Sequence, residues 1–447
     1  NLGNLYAYAG NYTASEHLLE QAARIARQIG YLTGVVTSGI NRGFNALDQG
    51  DPRGAEDRFA ATLPLARDIA YVRAEAMILG ALADLAHARH DLDDAVALYT
   101  EAVVLYKKIG DRTAECGQLS ALITVLHEDG RYGDALRSCA DALVLAQALN
   151  NHAMIRQFQC RRGRLALALS DLTQADTAFR TLLALRSVSS EDDGQGVAGV
   201  VNQGATNQDD DAGPLTATIY LAAVARLRGN DLNYSQTADS HIDYSGTVQR
   251  MLTIVDTTEN EVLQAHALTE AALLLQQTNA TLASGWHTSK LSVGGNSASI
   301  VERGQEKSAP SWEMLSTAAA ILERTGPAHA ALLPRAGLLA AALDAPSPVR
   351  ETVATPLAES ILKLLNGAFC GDVTEPFFVY ATLHQALSLA ADPRAERVLA
   401  LGGEHCQQVV SSLASDQVTH LTGDPAVHYL AQHLATTKLF AQLGDTL

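Results

Sequence analysis

The stretch GNYTASEHLLEQAARIARQIG, Gly10 to Gly30, recurs every forty residues. GDPRGAEDRFAATLPLARDIA follows from Gly50 and HDLDDAVALYTEAVVLYKKIG from His90. GRYGDALRSCADALVLAQALN begins at Gly130 and SDLTQADTAFRTLLALR at Ser170. The register holds without a gap through all five. A fixed period of this size marks an array in which each unit buries its apolar face only against its neighbours.

Each unit reads as two helices. The turn between helix A and helix B carries Gly10, Gly50, His90, Gly130 and Ser170. A glycine there ends helix A in a backbone conformation that costs it nothing. Asn11, Asp51, Asp91 and Asp171 follow as caps for helix B, with Arg131 in the fourth unit. Small residues come next on helix B, at Ser15, Ala55, Ala95, Ala135 and Ala175. One turn on stand Leu19, Phe59, Tyr99, Cys139 and Phe179, then Ala22, Thr62, Ala102, Ala142 and Leu182. Helix A has its own small position at Gly3, Gly43, Ala83, Ile123 and Gly163. Spacings of three and four place these sets on packed faces. Pro64, inside a helix B, is expected to kink it.

This order of small and bulky positions resembles the tetratricopeptide repeat (TPR), in a 40-residue form with long helices. The resemblance covers residues 1–186 as five repeats. It implies an all-α fold, an α-solenoid of stacked antiparallel helix pairs forming a TPR superhelix with long disordered insertions. In that family helix A lines a concave groove. The corresponding positions here are Asn4, Phe44, Asp84, Thr124 and Arg164, then Tyr8, Asp48, Ala88 and Glu128, and finally His87 and His127. The carboxylate-clamp form of the groove wants Asn and Lys at repeated positions, and only Asn4 fits it.

Composition agrees with close-packed helices: 47% of residues are apolar but only 5% aromatic. The net charge of −17 opposes direct binding to a phosphate backbone and favours a basic or polar partner. No uncharged apolar run is long enough to span a membrane. Five scattered cysteines without a CxxC pair read as small buried hydrophobes in a reducing cytoplasm.

The array breaks at Ser187–Gly213, where six acidic residues occur without Lys or Arg; a disordered loop is expected there. Residues 214–447 read as degenerate TPR-like helical pairs with insertions, including a Gly/Ser-rich loop at 281–311. Pro346, Pro348 and Pro356 punctuate that region. Near its end, EPFFVYATLHQALSLAADPRAERVLALGGEHCQQVVSSLA reads as a helix, an Asp392-Pro393 turn and a second helix. This phrase resembles the last helical pair of TPR regions closing STAND-type and other ATPase-coupled bacterial regulators. A chain that opens in mid-helix without Met is then expected to be the C-terminal part of a longer protein.

No GxxxxGK[ST], HExxH or GxSxG motif occurs, and no cofactor is implied. His405 and Cys406 are adjacent, and neighbours on a helix diverge by about 100°, so they cannot act as a dyad. The expected function is non-catalytic: a scaffold or sensor arm of a bacterial signalling protein, holding a protein or peptide in the groove. The held segment can be an upstream domain of the same polypeptide. Two other readings stay open: an effector-sensing arm of a transcription activator, and a hydrolase hidden in 214–447.

Overall fold

The computed structural model describes residues 2–185, 214–230, 244–278, 310–325, 328–345, 347–365, 373–413, 418, 421 and 424–434. The acidic stretch 187–213, most of the 281–311 segment and Cys370 lie outside the described residues.

Residues 2–184 form ten helices: α1 (Leu2–Tyr8), α2 (Tyr12–Gln28), α3 (Leu32–Asp48), α4 (Pro52–Asp68), α5 (Val72–Ala88), α6 (Leu92–Ile109), α7 (Arg112–Glu128), α8 (Tyr132–Ala148), α9 (His152–Ala168) and α10 (Leu172–Ala184). Odd numbers are A helices and even numbers B helices. Nine more follow: α11 (Pro214–Asn230), α12 (Tyr244–Thr257), α13 (Glu261–Thr278), α14 (Pro310–Thr325), α15 (Leu332–Leu343), α16 (Ser347–Leu365), α17 (Pro376–Leu389), α18 (Arg394–Ser412) and α19 (Pro425–Leu434). The fold is all-α, a TPR-like solenoid of helices packed in sequential pairs, with five pairs in phase with the forty-residue period. Among the described residues, no helix is long and apolar enough to cross a membrane.

The described residues divide into two compact units. The first runs to Leu126 and includes Ser138–Asn151; the second holds His127–Arg137 and the described residues from His152 onward. Packing in the second unit continues past the expected break at 187. Phe179 of α10 stacks on Tyr220 of α11 at 5.1 Å, in one core with Cys160, Leu172 and Val224.

The turns carry the period. Most helices of the array have 17 residues and are followed by three-residue turns, giving a half-period of twenty. One residue is left-handed at every turn from Gly10 to Ser170, the middle one wherever the turn has three. The hydrogen bonds repeat too: Gly50 N–H donates to Leu47 O and Asp51 N–H to Ala46 O, both at 2.9 Å. This motif satisfies carbonyls that a helix end leaves open. The expected left-handed turn at Gly10, Gly50, His90, Gly130 and Ser170 is present, and an unexpected second set lies between pairs at Gly30, Ala70, Gly110 and Asn150. The Asn11, Asp51 and Asp171 carboxyl or amide oxygens accept from the backbone N–H three residues on. Asp91 makes no such bond, and Arg131 instead pairs with Asp134.

The helix seam follows the small and bulky positions. Ser15, Ala55, Ala95, Ala135 and Ala175 are completely buried, and Leu19, Phe59, Tyr99, Cys139 and Phe179 nearly so. A methyl group on Gly43 would lie 2.4 Å from the Phe59 ring, and one on Gly163 2.4 Å from Phe179. The fourth pair exchanges the volumes, with Ile123 on helix A and the smaller Cys139 on helix B, both buried. Ala22 departs from its set and is exposed.

Three prolines behave differently from expectation. The α4 helix continues through Pro64, and α16 continues through both Pro348 and Pro356. Pro348 lies in the first turn, where its missing N–H costs no helix bond. Pro356 is interior, but Ala354, Ala358, Ile361 and Leu365 bury one face of α16 around it. Burial of that stripe outweighs the lost bond, as tertiary packing commonly does. The turn after α17 also shifts by one residue: Pro393 stands at the cap and Asp392 Oδ1 accepts from Arg394 N–H at 2.9 Å. Pro310 and Ser311, expected in a loop, open α14.

Two substitutions test this account by chemical unfolding. Gly43→Ala drives a methyl into a buried ring and is expected to lower stability by roughly 1–3 kcal/mol. Ala70→Gly relieves a left-handed alanine (φ 53°) and is expected to raise it by about 1 kcal/mol. Equal midpoints for both variants and the parent would refute the seam and turn assignments.

Candidate functional site

Helix A is polar where the seam ends. In the first unit the residue after each small seam position is half-buried: Phe44, Asp84 and Thr124, with Asn4 at the same register. One turn on, Tyr8 and Asp48 are exposed, and His87 is half-buried. The seam places these side chains, because burying Gly43 and Ala83 leaves the adjacent residue at its rim.

These positions are not equivalent in what they can do. Phe44 meets Phe59 edge-on, with ring centroids 5.3 Å apart, and so closes the seam. Asp84 accepts a 2.5 Å hydrogen bond from the hydroxyl of buried Tyr99, which ties its carboxylate to helix B of its own repeat. Thr124 donates to Ser120 O on its own helix. Asp48 and Tyr8 extend into solvent, Tyr8 with 85% of its surface exposed. In the second unit, His127 packs edge-on against Tyr132 at 5.5 Å, and Glu128 and Arg164 are half-buried. Among the described residues, no group of three or more His, Cys, Asp and Glu is placed to hold a metal ion.

Sequence reasoning missed two polar arrangements in the first unit. Asn45 donates to Ser15 Oγ at 2.7 Å inside the core, joining the first and second repeats. Nearby, Glu16 accepts from Arg42 Nη2 at 2.8 Å and Arg58 Nη2 at 3.3 Å. These arginines border a cavity of about 150 Å³ between α2, α3 and α4, with Arg27, Val35, Ala61 and Leu65. Their signal lay in departures from the repeat: Arg42 stands where the first, third and fourth pairs have Leu2, Leu82 and Leu122, and Arg58 where the first and third have Leu18 and Leu98.

The second unit has a buried ion cluster that was also not anticipated. Arg226 Nε donates to Glu270 Oε2 at 3.0 Å, and its Nη1 to Glu375 Oε2 at 3.1 Å. All three side chains are nearly inaccessible. Burial pushes the Glu270 carboxyl above its usual range, with Arg226 pulling it down and Glu375 pushing it further up. The cluster cross-links α11, α13 and the start of α17.

His405 and Cys406 are core residues. His405 is fully buried among Phe377, Tyr380 and Tyr132, with Nε2 3.3 Å from the Tyr132 hydroxyl. Burial lowers its imidazole to about 3. Burial and the Asp424 charge push the Cys406 thiol up to about 12, so the nucleophilic thiolate is suppressed. Cys116, Cys139 and Cys160 are buried as well.

The family model described as "Tetratricopeptide repeat" matches residues 1–29, the first helix pair. No curated protein sequence matches the chain. Among solved structures, the chain is similar to the crystal structure of yeast Tom70, at 12% identity and a TM-score of 0.34, over 99% of this chain and 97% of that one.

The His405 environment sets an acid response. Its folded value of about 3 lies below the usual 6.5, so the unfolded chain binds the extra proton between those values. The stabilisation is complete above about pH 6.5 and is lost as pH falls toward 3, at up to about 1.4 kcal/mol per pH unit. Urea unfolding of His405→Phe from pH 6.5 to 4 is expected to show a shallower loss than the parent. Parallel slopes would remove His405 as the cause.

Proposed function

We propose that the chain is a non-catalytic protein-interaction module, the binding arm of a signal-transduction protein, which holds a basic or polar peptide segment along helix A of successive repeats. The observation that supports it most is that helix A residues beside and one turn beyond the buried seam positions, Asp48, Asp84 and His87 among them, are exposed or half-buried in the first unit. Helix-pair repeats generally serve as scaffolds for protein contacts, through extended surfaces made by one helix of each pair. The acidic balance of the chain favours a cationic segment. The signalling context rests on the phrase that forms α17 and α18, and a cytoplasmic setting on the scattered cysteines.

Within this surface Asp48 and Tyr8 are the exposed contacts, whereas Asp84 is engaged by Tyr99 and acts more weakly. Asn4, Phe44, Thr124, His127, Glu128 and Arg164 complete the proposed set.

The test is fluorescence anisotropy with short Lys/Arg-containing peptides at low and physiological salt. Asp48→Lys is expected to weaken binding about ten-fold, equivalent to about 1.4 kcal/mol, and the parent's affinity to fall with salt. Asp57→Lys and Asp94→Lys, exposed on B helices, are the controls. Loss of binding in the controls with Asp48→Lys unaffected would place the partner elsewhere. Asp84→Lys is a poor probe, because it would strand the buried Tyr99 hydroxyl.

A further inference from the structure

Two successive repeats share an electrostatic pattern where helix B meets the next helix pair. Near the end of helix B stands a basic residue, and two acidic residues of the next repeat face it. Arg67 shows this directly: its Nε donates to Glu75 Oε1 and its Nη2 to Glu101 Oε1, both at 2.8 Å. Forty residues on, Lys107, Glu115 and Asp141 occupy the same three positions, and Glu115 feels both of the others.

Forty residues earlier the rule fails on one side only. Arg27 is retained, but the acidic positions are Val35 and Ala61. Both line the cavity between α2, α3 and α4, and so does Arg27. The cavity therefore opens where the next two repeats place two carboxylates; in the fourth the basic and acidic positions are neutral together, as Gln147, Ile155 and Thr181. Arg27 has no ion-pair partner among the described residues.

Two further substitutions deepen the positive field. Arg42 and Arg58 replace what are Leu82 and Leu98 in the next repeat, and both border the same cavity. Glu16 is their shared carboxylate partner. Three guanidiniums thus face one carboxylate, leaving two positive charges uncompensated in a chain of net charge −17. In addition, Arg58 Nε is buried with no hydrogen-bond partner in the described structure. The rest of this side chain is about a third exposed, with Nη1 donating to Gly54 O at 2.9 Å, so Nε is the donor left for a further acceptor.

We infer that this cavity binds a phosphate group as its dianion. A phosphate monoester carries close to two negative charges at neutral pH, which matches the uncompensated charge. Its oxygens suit the forked donors of arginine. Cavities of this volume hold ligands as large as benzene, so a phosphate fits. Arg27 takes the group in place of the missing carboxylates, and Arg58 Nε and the outer Arg42 nitrogen complete the donor set. Val35 is buried and Leu65 half-buried in the cavity wall, while exposed Ala61 and Arg27 leave it open for a ligand to enter.

Isothermal titration with inorganic phosphate and with O-phosphoserine, at ionic strength held constant with chloride, tests the inference on the whole chain. Saturable binding of at least one probe is expected, weakened about ten-fold or more by Arg27→Ala, an exposed position. Val35→Glu with Ala61→Glu restores the internal carboxylates and is expected to abolish binding without lowering the melting temperature. Preference for O-phosphoserine would assign a phosphorylated side chain as the source, and preference for phosphate the free ion. No saturable binding of either probe, or unchanged affinity in Arg27→Ala, would overturn the inference. If the double variant proves less stable, Arg27→Ala decides alone.

Discussion

Everything regular in this chain depends on one close approach, that of the small helix A position to the bulky helix B residue sixteen positions on. Gly43 against Phe59 and Gly163 against Phe179 leave no room for a single methyl group. That contact fixes the angle between the helices of a pair, and the angle determines which neighbouring side chains reach solvent. The left-handed turn residue then fixes the length. Helices of 17 residues span about 25 Å, and ending each at the same register lets the next helix meet the same seam. Ile123 with Cys139 shows that the quantity maintained is the summed volume across the seam, not the identity of the small residue.

The second unit solves the same problem with different means. Beyond Ala184 long interruptions break the period, and its helices lack the strict small and bulky order that Gly163 and Phe179 still keep. Cohesion there comes partly from polar groups taken out of water. Arg226 with Glu270 and Glu375 fixes three helices at once, and removing one member of such a cluster leaves an uncompensated buried charge costing about 3–5 kcal/mol. Contacts far apart in sequence add to this. Gln408 donates to Asp129 at 3.0 Å, Gly133 N–H to Ser412 Oγ at 3.1 Å, and Ser170 to Asp424 at 2.7 Å. A strict solenoid contacts only its neighbours, so these bonds mark where the second unit departs from one-dimensional packing.

Much of the first 185 residues was legible because periodicity reports burial directly. The five pairs and their breaks, the seam residues and three of the caps could be read from positions forty apart. The second set of turns was harder to see, because Ala70 and Asn150 replace glycine and only the geometry shows their left-handed backbone. The prolines misled for a related reason: Pro64 and Pro356 carry a local penalty, and local rules do not count the apolar stripe that holds α4 and α16 in place. On helix A the sequence does not tell how free each side chain is. Asp48 and Asp84 look alike in sequence, and only the Tyr99 hydroxyl separates an open carboxylate from an engaged one. The ion cluster in the second unit joins residues 44 and 149 positions apart, a separation at which no local pattern exists.

A repeat array also carries an internal control that a single domain lacks. Each unit states what the fold requires at a position, so a departure confined to one unit separates structural need from other demands. The acidic residues facing Arg67 and Lys107 show that the fold tolerates, and in Arg67's case directly pairs, a basic residue there. Losing both at Val35 and Ala61 while keeping Arg27 gives up favourable pairs and leaves a cavity, although Val35 itself is buried. Adding Arg42 and Arg58 beside it concentrates like charge, which by itself opposes folding. Stability alone would select against this combination, and that conflict is what motivates the inference of an anion there.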